Sequence, residues 1–264
     1  MNYLKYISDY LIDPRLKGID INSNKLLEIH NIILQEKPIM RNVFKRFYTV
    51  CRSLDEKYFN GVGKRIEIGS GVSFIKECYP DVITSDIKES LNIEILLDAH
   101  KMDICNSSIR AIYGINCFHH FHTPDLFFKE LQRVLTKDGG CILIEPHYGI
   151  LANYFYKNLH ESEHFNKKQN GWNESDAELS GANQALSYII FQRDKALFLN
   201  RYNNLQIVHH KPLSNYIQYF MSGGLNFRQL TPSYSLSLLK LFETVLLPFI
   251  YIFALHHVYV IRKR

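Results

Sequence analysis

The sequence predicts an α/β fold in which a mostly parallel sheet is covered by helices on both faces. From residue 64 to about residue 146, short apolar runs alternate with segments of helical periodicity. Short runs of this kind are typical of buried parallel strands, because both faces of such strands pack against helices. With 264 residues and a hydrophobic content of 46%, the chain is large enough for one such domain with additions.

Short apolar runs in the central and C-terminal regions are predicted to be the strands. Their bounds are Arg65–Ile68, Val82–Ser85, Ile93–Leu97, Ala111–Ile115, Cys141–Glu145, Leu205–His209 and His257–Ile261. The last run alternates like a strand that closes a sheet.

Helices are predicted before and between these strands. One runs from Lys25 to Glu36, and Pro38 ends it, because proline lacks the N–H that a helix interior needs. A second spans Met40 to about Tyr58. The clearest lies between the last two central strands; it begins at Pro124, and Gly139-Gly140 stops it.

Charge and cysteine content argue against several classes of protein. The net charge is +5, but no run of Lys and Arg exceeds Arg262–Arg264, which gives nucleic-acid binding little support. The five cysteines form no CxxC pair and are typical of free thiols in a reducing cytoplasm. Asp9 and Asp13 interrupt the N-terminal segment, so we expect no signal peptide and a cytoplasmic protein.

A glycine turn directly follows the first predicted strand. Gly69 and Gly71, with Ser70 between them, allow a sharp backbone turn that a ligand can approach without meeting a Cβ. In open α/β sheets this edge is a binding crevice. A dinucleotide fingerprint, GxGxxG, needs a glycine where Phe74 stands. Glu67, two residues before the first glycine, suits instead a ligand with a positively charged amino group.

This turn resembles motif I of the class I methyltransferases, (E/D)xGxGxG, with Ser73 in the place of the third glycine. Four later segments resemble the family's strand-end motifs and occur in the family's order. They are Asp86-Ile87, Asp98-Ala99, Asn116–Phe121 and Leu135–Pro146, the last ending in the Glu-Pro pair typical of the family. These matches cover residues 64–146 and make the chain similar to methyltransferases of type 11.

The resemblance implies a three-layer Rossmann-like fold with a mostly parallel seven-stranded sheet and an antiparallel last strand. It implies S-adenosyl-L-methionine as the cofactor, with Glu67 at its amino group, Asp86 at its ribose hydroxyls and Asp98 at its adenine. The residues expected to bind it are Glu67, Gly69, Ser70, Gly71, Asp86, Ile87, Asp98, Ala99, Asn116 and Phe118.

The resemblance also divides the chain. Residues 1–60 are predicted to be an N-terminal helical extension and residues 61–264 the methyltransferase domain. Within this domain, 146–200 is expected to form a cap region, with a helix from 182 to 199. Residues 210–256 are expected to form an apolar insertion before the last strand.

Two histidines at strand ends are candidate catalytic bases for a hydroxyl acceptor. His120 follows the fourth strand, with His119 as its alternative, and His147 follows the fifth. Histidine is the natural base near neutral pH.

No metal is expected. In the cap region His160, Glu161 and His164 have helical spacing and are interpreted as acceptor ligands or, more simply, as a solvated face, since no matching metal-ligand set occurs elsewhere.

Segments outside the core resemble methyltransferases encoded among bacterial surface-polysaccharide genes. These segments are 13–20, 159–161, 180–185 and 221–224. The resemblance implies a small-molecule or glycan acceptor, in particular a sugar, a glycan or a lipid-linked sugar methylated on oxygen. The oligomeric state does not follow from the sequence.

An apolar stretch near the C-terminus allows two interpretations. Residues 244–261 contain no Asp, Glu, Lys or Arg, but Pro248 and the last strand argue against a simple membrane span. Residues 236–255 are expected to form an amphipathic helix that either packs on the domain or contacts the inner membrane from the cytoplasmic side.

Two other functions stay open at the sequence level. One is a catalytically degenerate protein that binds the cofactor and serves as a scaffold in a glycan-assembly complex. The other is an NAD-dependent oxidoreductase, against which the absent third glycine counts.

Overall fold

The computed structural model describes residues 10–20, 23–90, 92–158, 163–173 and 182–264. Its helices are α1 (Asn24–Glu36), α2 (Pro38–Tyr58), α3 (Ile75–Cys78), α4 (Pro124–Val134), α5 (Ile150–Asn158), α6 (Leu186–Tyr188), α7 (Lys195–Arg201), α8 (Tyr216–Ser222), α9 (Leu236–Val245) and α10 (Ile250–Phe253). Its strands are β1 (Lys64–Ile68), β2 (Val82–Asp86), β3 (Ile95–Leu96), β4 (Ile109–Ile115), β5 (Leu135–Pro146), β6 (Leu205–Pro212) and β7 (His256–Lys263).

These strands form one seven-stranded sheet in the order β3-β2-β1-β4-β5-β7-β6. The first five pair in parallel, whereas β7 runs antiparallel between β5 and β6. The order changes direction between β1 and β4, which leaves a crevice at the carboxyl ends of these two strands. The predicted fold class, a mostly parallel sheet with an antiparallel last strand, is confirmed.

Helices cover both faces of the sheet because successive side chains of a strand point to opposite sides. In β5, Cys141 and Leu143 belong to one core cluster, together with the aromatic side chains of α4 and α7. Ile142 and Ile144 belong to the other, which includes the apolar stripe of α2. All four are fully buried, so the core has two halves with the sheet between them.

Helix α2 forms part of one of these layers. Its side chains Val43, Phe47 and Leu54 are buried with strand residues Ala111 and Tyr113. The N-terminal region predicted as an extension therefore contains a helix that the sheet needs as a cover.

Two predicted helix ends and one predicted helix differ from the structure. Pro38 is the first residue of α2 rather than only a stop for α1, since proline is tolerated in the first helical turn. Helix α4 ends at Val134 and β5 begins at once, so Gly139-Gly140 lie inside that strand. Instead of one helix over 182–199, α6 and α7 are separated by the π-helical turn Ile189–Arg193.

A buried carboxylate ties α2 to the sheet. Asp55, whose side chain is 0% exposed, accepts hydrogen bonds from Nε of Arg65 at 2.6 Å and Nε of Arg110 at 2.8 Å. The hydroxyl of Tyr113 donates a third at 2.7 Å. Helix α2 is thereby linked to both β1 and β4, the strands that border the crevice.

The apolar C-terminal stretch folds as α9, a 3₁₀ turn and α10 rather than as one helix. Among the described residues no single helix is long and apolar enough to cross a membrane. Two consecutive helical segments, Ser233–Val245 and Leu247–Phe253, together have the length and apolar composition of a membrane span, but they are bent by 63° relative to each other. The large apolar side chains that this segment exposes are Leu238, Leu241, Phe242, Val245, Leu247, Phe249, Tyr251 and Ile252.

Replacement of Asp55 by Asn is expected to destabilise the protein by about 3–5 kcal/mol, because two guanidinium groups lose their buried counter-charge. Urea unfolding followed by circular dichroism measures the change. The control is Glu56→Gln, which alters an exposed pair with Arg52, side-chain exposure 61%, and should cost less than about 1 kcal/mol. Equal losses in the two variants would contradict the structural role of Asp55.

Candidate active site

A cavity of about 250 Å³ lies at the carboxyl ends of β1 and β4. The glycine turn and the segment after β4 form its floor, and residues of α1, α2 and the predicted cap and insertion regions close it. Six residues of the predicted site line it: Glu67, Gly69, Ser70, Gly71, Asn116 and His120. The structure thus brings together parts of the chain that are up to 196 positions apart, from His30 to Asn226.

The backbone of the glycine turn requires its small residues. Gly69 and Gly71 have φ values of 60° and 51°, in the left-handed region that favours glycine. A Cβ on Gly69 would lie 2.6 Å from the Cβ of Cys117, so the two turns that form the floor touch at this point. Ser73, which stands for the third glycine of the motif, also adopts a positive φ of 55°.

Glu67 offers an acceptor to a ligand. Its side chain is 2% exposed, and its Oε2 accepts no hydrogen bond from the described part of the chain. Burial raises the pKa of this carboxyl to about 8, although the hydroxyls of Tyr48 and Ser70 oppose the shift. A second buried acceptor without a donor among these residues, Oδ1 of Asn116, also belongs to the lining. The two acceptors suit the N–H donors of an ammonium group.

The other predicted cofactor residues lie on the same edge of the sheet but outside the cavity lining. Asp86 ends β2, and its Oδ2 accepts a hydrogen bond from the backbone N–H of Gly71 at 2.9 Å. Ile87, next to it, is 69% exposed. After β3, Asp98 is exposed and Ala99 is buried. Asp86 therefore stabilises the glycine turn, and the direct contacts of these four residues with a cofactor stay a prediction.

A buried carboxylate organises the segment after β4. Glu145, at the end of β5, is 0% exposed. Its Oε1 accepts hydrogen bonds from the backbone N–H groups of Cys117 at 3.1 Å and Phe118 at 2.9 Å. Its Oε2 accepts one from the backbone of His119 at 3.3 Å and pairs with Nδ1 of the same ring at 2.6 Å. The ring is thereby fixed by one nitrogen and presents Nε2 on its other side.

Three ionisable side chains meet at one end of the cavity. Nε2 of His119 lies 3.4 Å from one carboxylate oxygen of Glu163, and Nε2 of His120 lies 3.6 Å from the other. Gln184 donates a hydrogen bond to Glu163 at 2.5 Å. Burial lowers the pKa of His119, but Glu145 and Glu163 raise it more, to about 10. We call His119, His120 and Glu163 the His-His-Glu cluster.

Two predicted site residues lie elsewhere. His147 is 1% exposed and outside the cavity lining; its Nδ1 contacts Nδ1 of His257 at 3.1 Å. Its backbone N–H pairs with Leu255, which turns the ring toward β7. The ring of Phe118 is 0% exposed and stacks on Phe191 in the core. The geometry does not support His147 as the catalytic base or the side chain of Phe118 as a cofactor contact.

The cap region contributes residues that the sequence did not single out. His160 and Glu161 lie outside the described residues. His164 pairs with Ala182 through the backbone instead of lining the cavity. Glu163, beside it, lines the cavity, yet its segment has no periodic pattern from which its position follows. The role of Glu145 could have been found from the sequence, because an acid at the end of a buried strand needs hydrogen-bond donors.

Comparisons with known proteins found one family match and several similar structures. Residues 72–143 match the family model described as a methyltransferase domain. No curated protein sequence matches the chain. Among solved structures, a SAM-dependent methyltransferase from Archaeoglobus fulgidus is similar at 12% identity and a TM-score of 0.48, over 85% of this chain and 94% of that one. Phosphoethanolamine N-methyltransferase 2 of Haemonchus contortus, with S-adenosyl-L-methionine bound, is similar at 10% identity and a TM-score of 0.45, over 95% of this chain and 59% of that one.

Family match, sheet topology and site agree. The matched residues begin at Val72, directly after the glycine turn, and end at Leu143 in β5, so they include the end of β4 and the segment after it that forms part of the cavity floor. The sheet is mostly parallel, has seven strands and has the antiparallel last strand that the resemblance implied. Glu67 and Asn116 present unmatched acceptors where an amino group is expected to bind. The chain therefore contains a methyltransferase domain, and S-adenosylmethionine is its cofactor.

Proposed function

We propose that the protein methylates a hydroxyl group of a sugar, a glycan or a lipid-linked sugar. The observation that carries the proposal is that Glu67 and the glycine turn share one cavity with the His-His-Glu cluster. Groups suited to hold a methyl donor and groups suited to activate a hydroxyl thus face the same space. Holding both reactants in one site removes most of the entropic cost of bringing them together.

One side of the cavity would bind the cofactor. Glu67 and Asn116 would hold its amino group and the backbone of Gly69–Gly71 its amino-acid part, and Asp86, beyond the cavity lining, would hold its ribose hydroxyls. When bound, the cofactor would supply a methyl group carried on a positively charged sulfur. The sulfur would leave as a neutral thioether when the acceptor oxygen takes the methyl group. The chain's own task is to orient the acceptor oxygen and to remove its proton.

The other half suits a sugar. Aromatic rings from α2, α5 and α8 line it, among them Phe47, Tyr156 and Tyr219. Two polar side chains of the cap and insertion regions, Gln184 and Asn226, also line the cavity. Sugars present apolar ring faces as well as hydroxyl groups, and a lining of aromatic rings with a few hydrogen-bonding groups complements both.

The His-His-Glu cluster is the part that removes the proton. His119 is held as a cation between Glu145 and Glu163, with its pKa raised to about 10, and so cannot accept a further proton at neutral pH. His120 lines the cavity and is 23% exposed, next to Glu163. We assign the acceptor proton to Nε2 of His120, with Glu163 stabilising the imidazolium that forms.

We also propose that the exposed face of α9 and α10 contacts the cytoplasmic surface of the inner membrane. The charge pattern supports lipid as the occupant. Lys240 is exposed on α9, whereas the only acid of this segment, Glu243, is 3% exposed and accepts a hydrogen bond from the backbone of Gln218. An apolar face with an exposed cation and a buried acid complements an anionic bilayer. Such contact would give a lipid-linked sugar access to the cavity.

Cofactor affinity is expected to rise with pH. The Glu67 carboxyl, with its pKa raised to about 8, is protonated below that pH and must lose its proton to pair with an ammonium group. Affinity for S-adenosylhomocysteine should therefore increase by up to about tenfold per pH unit from pH 6 to pH 8. Calorimetric titration at pH 6, 7 and 8 measures it.

Glu67→Gln should flatten this pH profile and weaken binding at pH 8, whereas the surface variant Glu56→Gln should leave both unchanged. A profile that is already flat in the unchanged protein would rule out Glu67 as the partner of the amino group.

Replacement of His120 by Ala is expected to reduce methyl transfer by about 10²–10⁴-fold, the usual contribution of a positioned base. Affinity for S-adenosylhomocysteine should stay within about twofold, because Glu67 and the glycine turn remain. His122→Ala is the matched control, since this ring stacks on His100 and does not line the cavity.

The assay uses labelled cofactor with sugar nucleotides, lipid-linked sugars and bacterial envelope glycans, followed by mass spectrometry of the labelled product. An O-methyl sugar supports the proposal, and label on an amine or a protein refutes the acceptor class. Tight S-adenosylhomocysteine binding with no label in any fraction would favour a degenerate protein that only binds the cofactor.

Membrane contact is tested by flotation with vesicles that contain about one-third anionic lipid. The protein should float with these vesicles and remain in solution with neutral ones, because the apolar face is small and needs the attraction of the cation. The double variant Leu241→Ser, Phe242→Ser should abolish flotation and leave cofactor binding intact. Flotation that persists in this variant would show that another surface binds.

A further inference from the structure

We infer that the His-His-Glu cluster is a binding site for a divalent transition-metal cation, with Zn²⁺ as the best match. His119, His120 and Glu163 each offer one ligand atom, and these atoms all lie within 4.8 Å of one another. Two imidazoles and one carboxylate form a ligand set that binds zinc in catalytic sites and leaves a fourth position open.

The distances fit a cation of this kind. Ligand atoms about 2.0–2.2 Å from a tetrahedral Zn²⁺ are about 3.4 Å apart. The carboxylate of Glu163 lies 3.4 Å from Nε2 of His119 and 3.6 Å from Nε2 of His120. The two imidazole rings are tilted by 38° with centroids 4.3 Å apart, and Nε2 of each ring faces the same carboxylate. The three atoms therefore already surround a point at which a cation would complete the site.

The supporting hydrogen bonds are those of a metal site. A histidine ligand usually donates its second ring N–H to a carboxylate, which fixes the ring and its tautomer. Nδ1 of His119 makes this bond to Glu145 at 2.6 Å, and Glu145 is fully buried. Glu163 is oriented by Gln184, itself 2% exposed. His119 and Glu163 are thus held in place before any cation arrives.

The cluster lies on the cavity wall, so the open position of the cation faces the space assigned to the acceptor. An acceptor hydroxyl that binds there would coordinate the cation through an oxygen lone pair and become more acidic. With the cation bound, His119 and His120 are neutral ligands and the acceptor proton is released to water, whereas His120 accepts that proton in the protein without the cation. This role of the cation rests on the proposed function, whereas the binding site itself does not. The sequence did not indicate this site, because Glu163 lies 43 positions beyond His120 in an irregular segment.

Direct metal binding is the first test. Protein freed of metal with a chelator is dialysed at pH 8 against micromolar ZnSO₄, and bound zinc is counted by mass spectrometry. We expect one Zn²⁺ per chain, lost in His120→Ala and in Glu163→Gln and retained in His122→Ala. Co²⁺ in place of Zn²⁺ should show the intense visible absorption of a four- or five-coordinate site. S-adenosylhomocysteine binding to each variant confirms that it is folded.

The outcomes separate this inference from the proposed function. No bound zinc, or zinc that the two ligand variants retain, overturns the metal site and leaves the acceptor assignment untouched. Zinc bound at the cluster without methyl transfer to any sugar supports the site and refutes the proposed acceptor. If chelator-treated protein transfers methyl groups at the full rate and added Zn²⁺ changes nothing, the site binds metal but the cation takes no part in hydroxyl activation.

Discussion

The functional end of the molecule depends on one buried carboxylate, that of Glu145. Removing a carboxylate from water is costly unless its oxygens are satisfied, and here three backbone N–H groups and one imidazole satisfy them. All four donors belong to residues 117–119. The segment after β4 cannot move away without leaving a buried charge unpaired. Glu145 therefore fixes at once the floor of the cavity and the orientation of His119.

A second constraint links this segment to the glycine turn. Gly69 lies so close to Cys117 that a side chain at this position would collide with it. Asp86 holds the same turn from the other side, through the N–H of Gly71. The turn is thus fixed between the ends of β2 and β4, and Glu67 is kept buried with one oxygen facing the cavity. Burial in this arrangement raises the pKa of Glu67, and a bound ammonium group would lower that pKa again.

Those parts of the fold that depend on local pattern followed from the sequence. The strands, the parallel sheet and the glycine turn are each marked by hydrophobic periodicity or by a residue type. These marks are visible in the sequence without knowledge of any tertiary contact. Gly139-Gly140 shows the limit: glycines usually stop helices, yet here α4 had already ended and the pair lies within β5. Tertiary pairing with β4 and β7 decided their conformation.

Side-chain direction at the active site could not be predicted in this way. His120 and His147 both follow strands at the correct edge, and the sequence gives no reason to separate them. They differ because β7 pairs with the end of β5 and draws His147 toward Leu255, whereas Glu145 turns the segment after β4 into the cavity. Glu163 reaches the cavity from an irregular segment beyond α5. Such long-range placements depend on antiparallel pairing and on buried hydrogen bonds, and neither has a local signal. These placements build the acceptor half of the cavity, so that half could be described only from the structure.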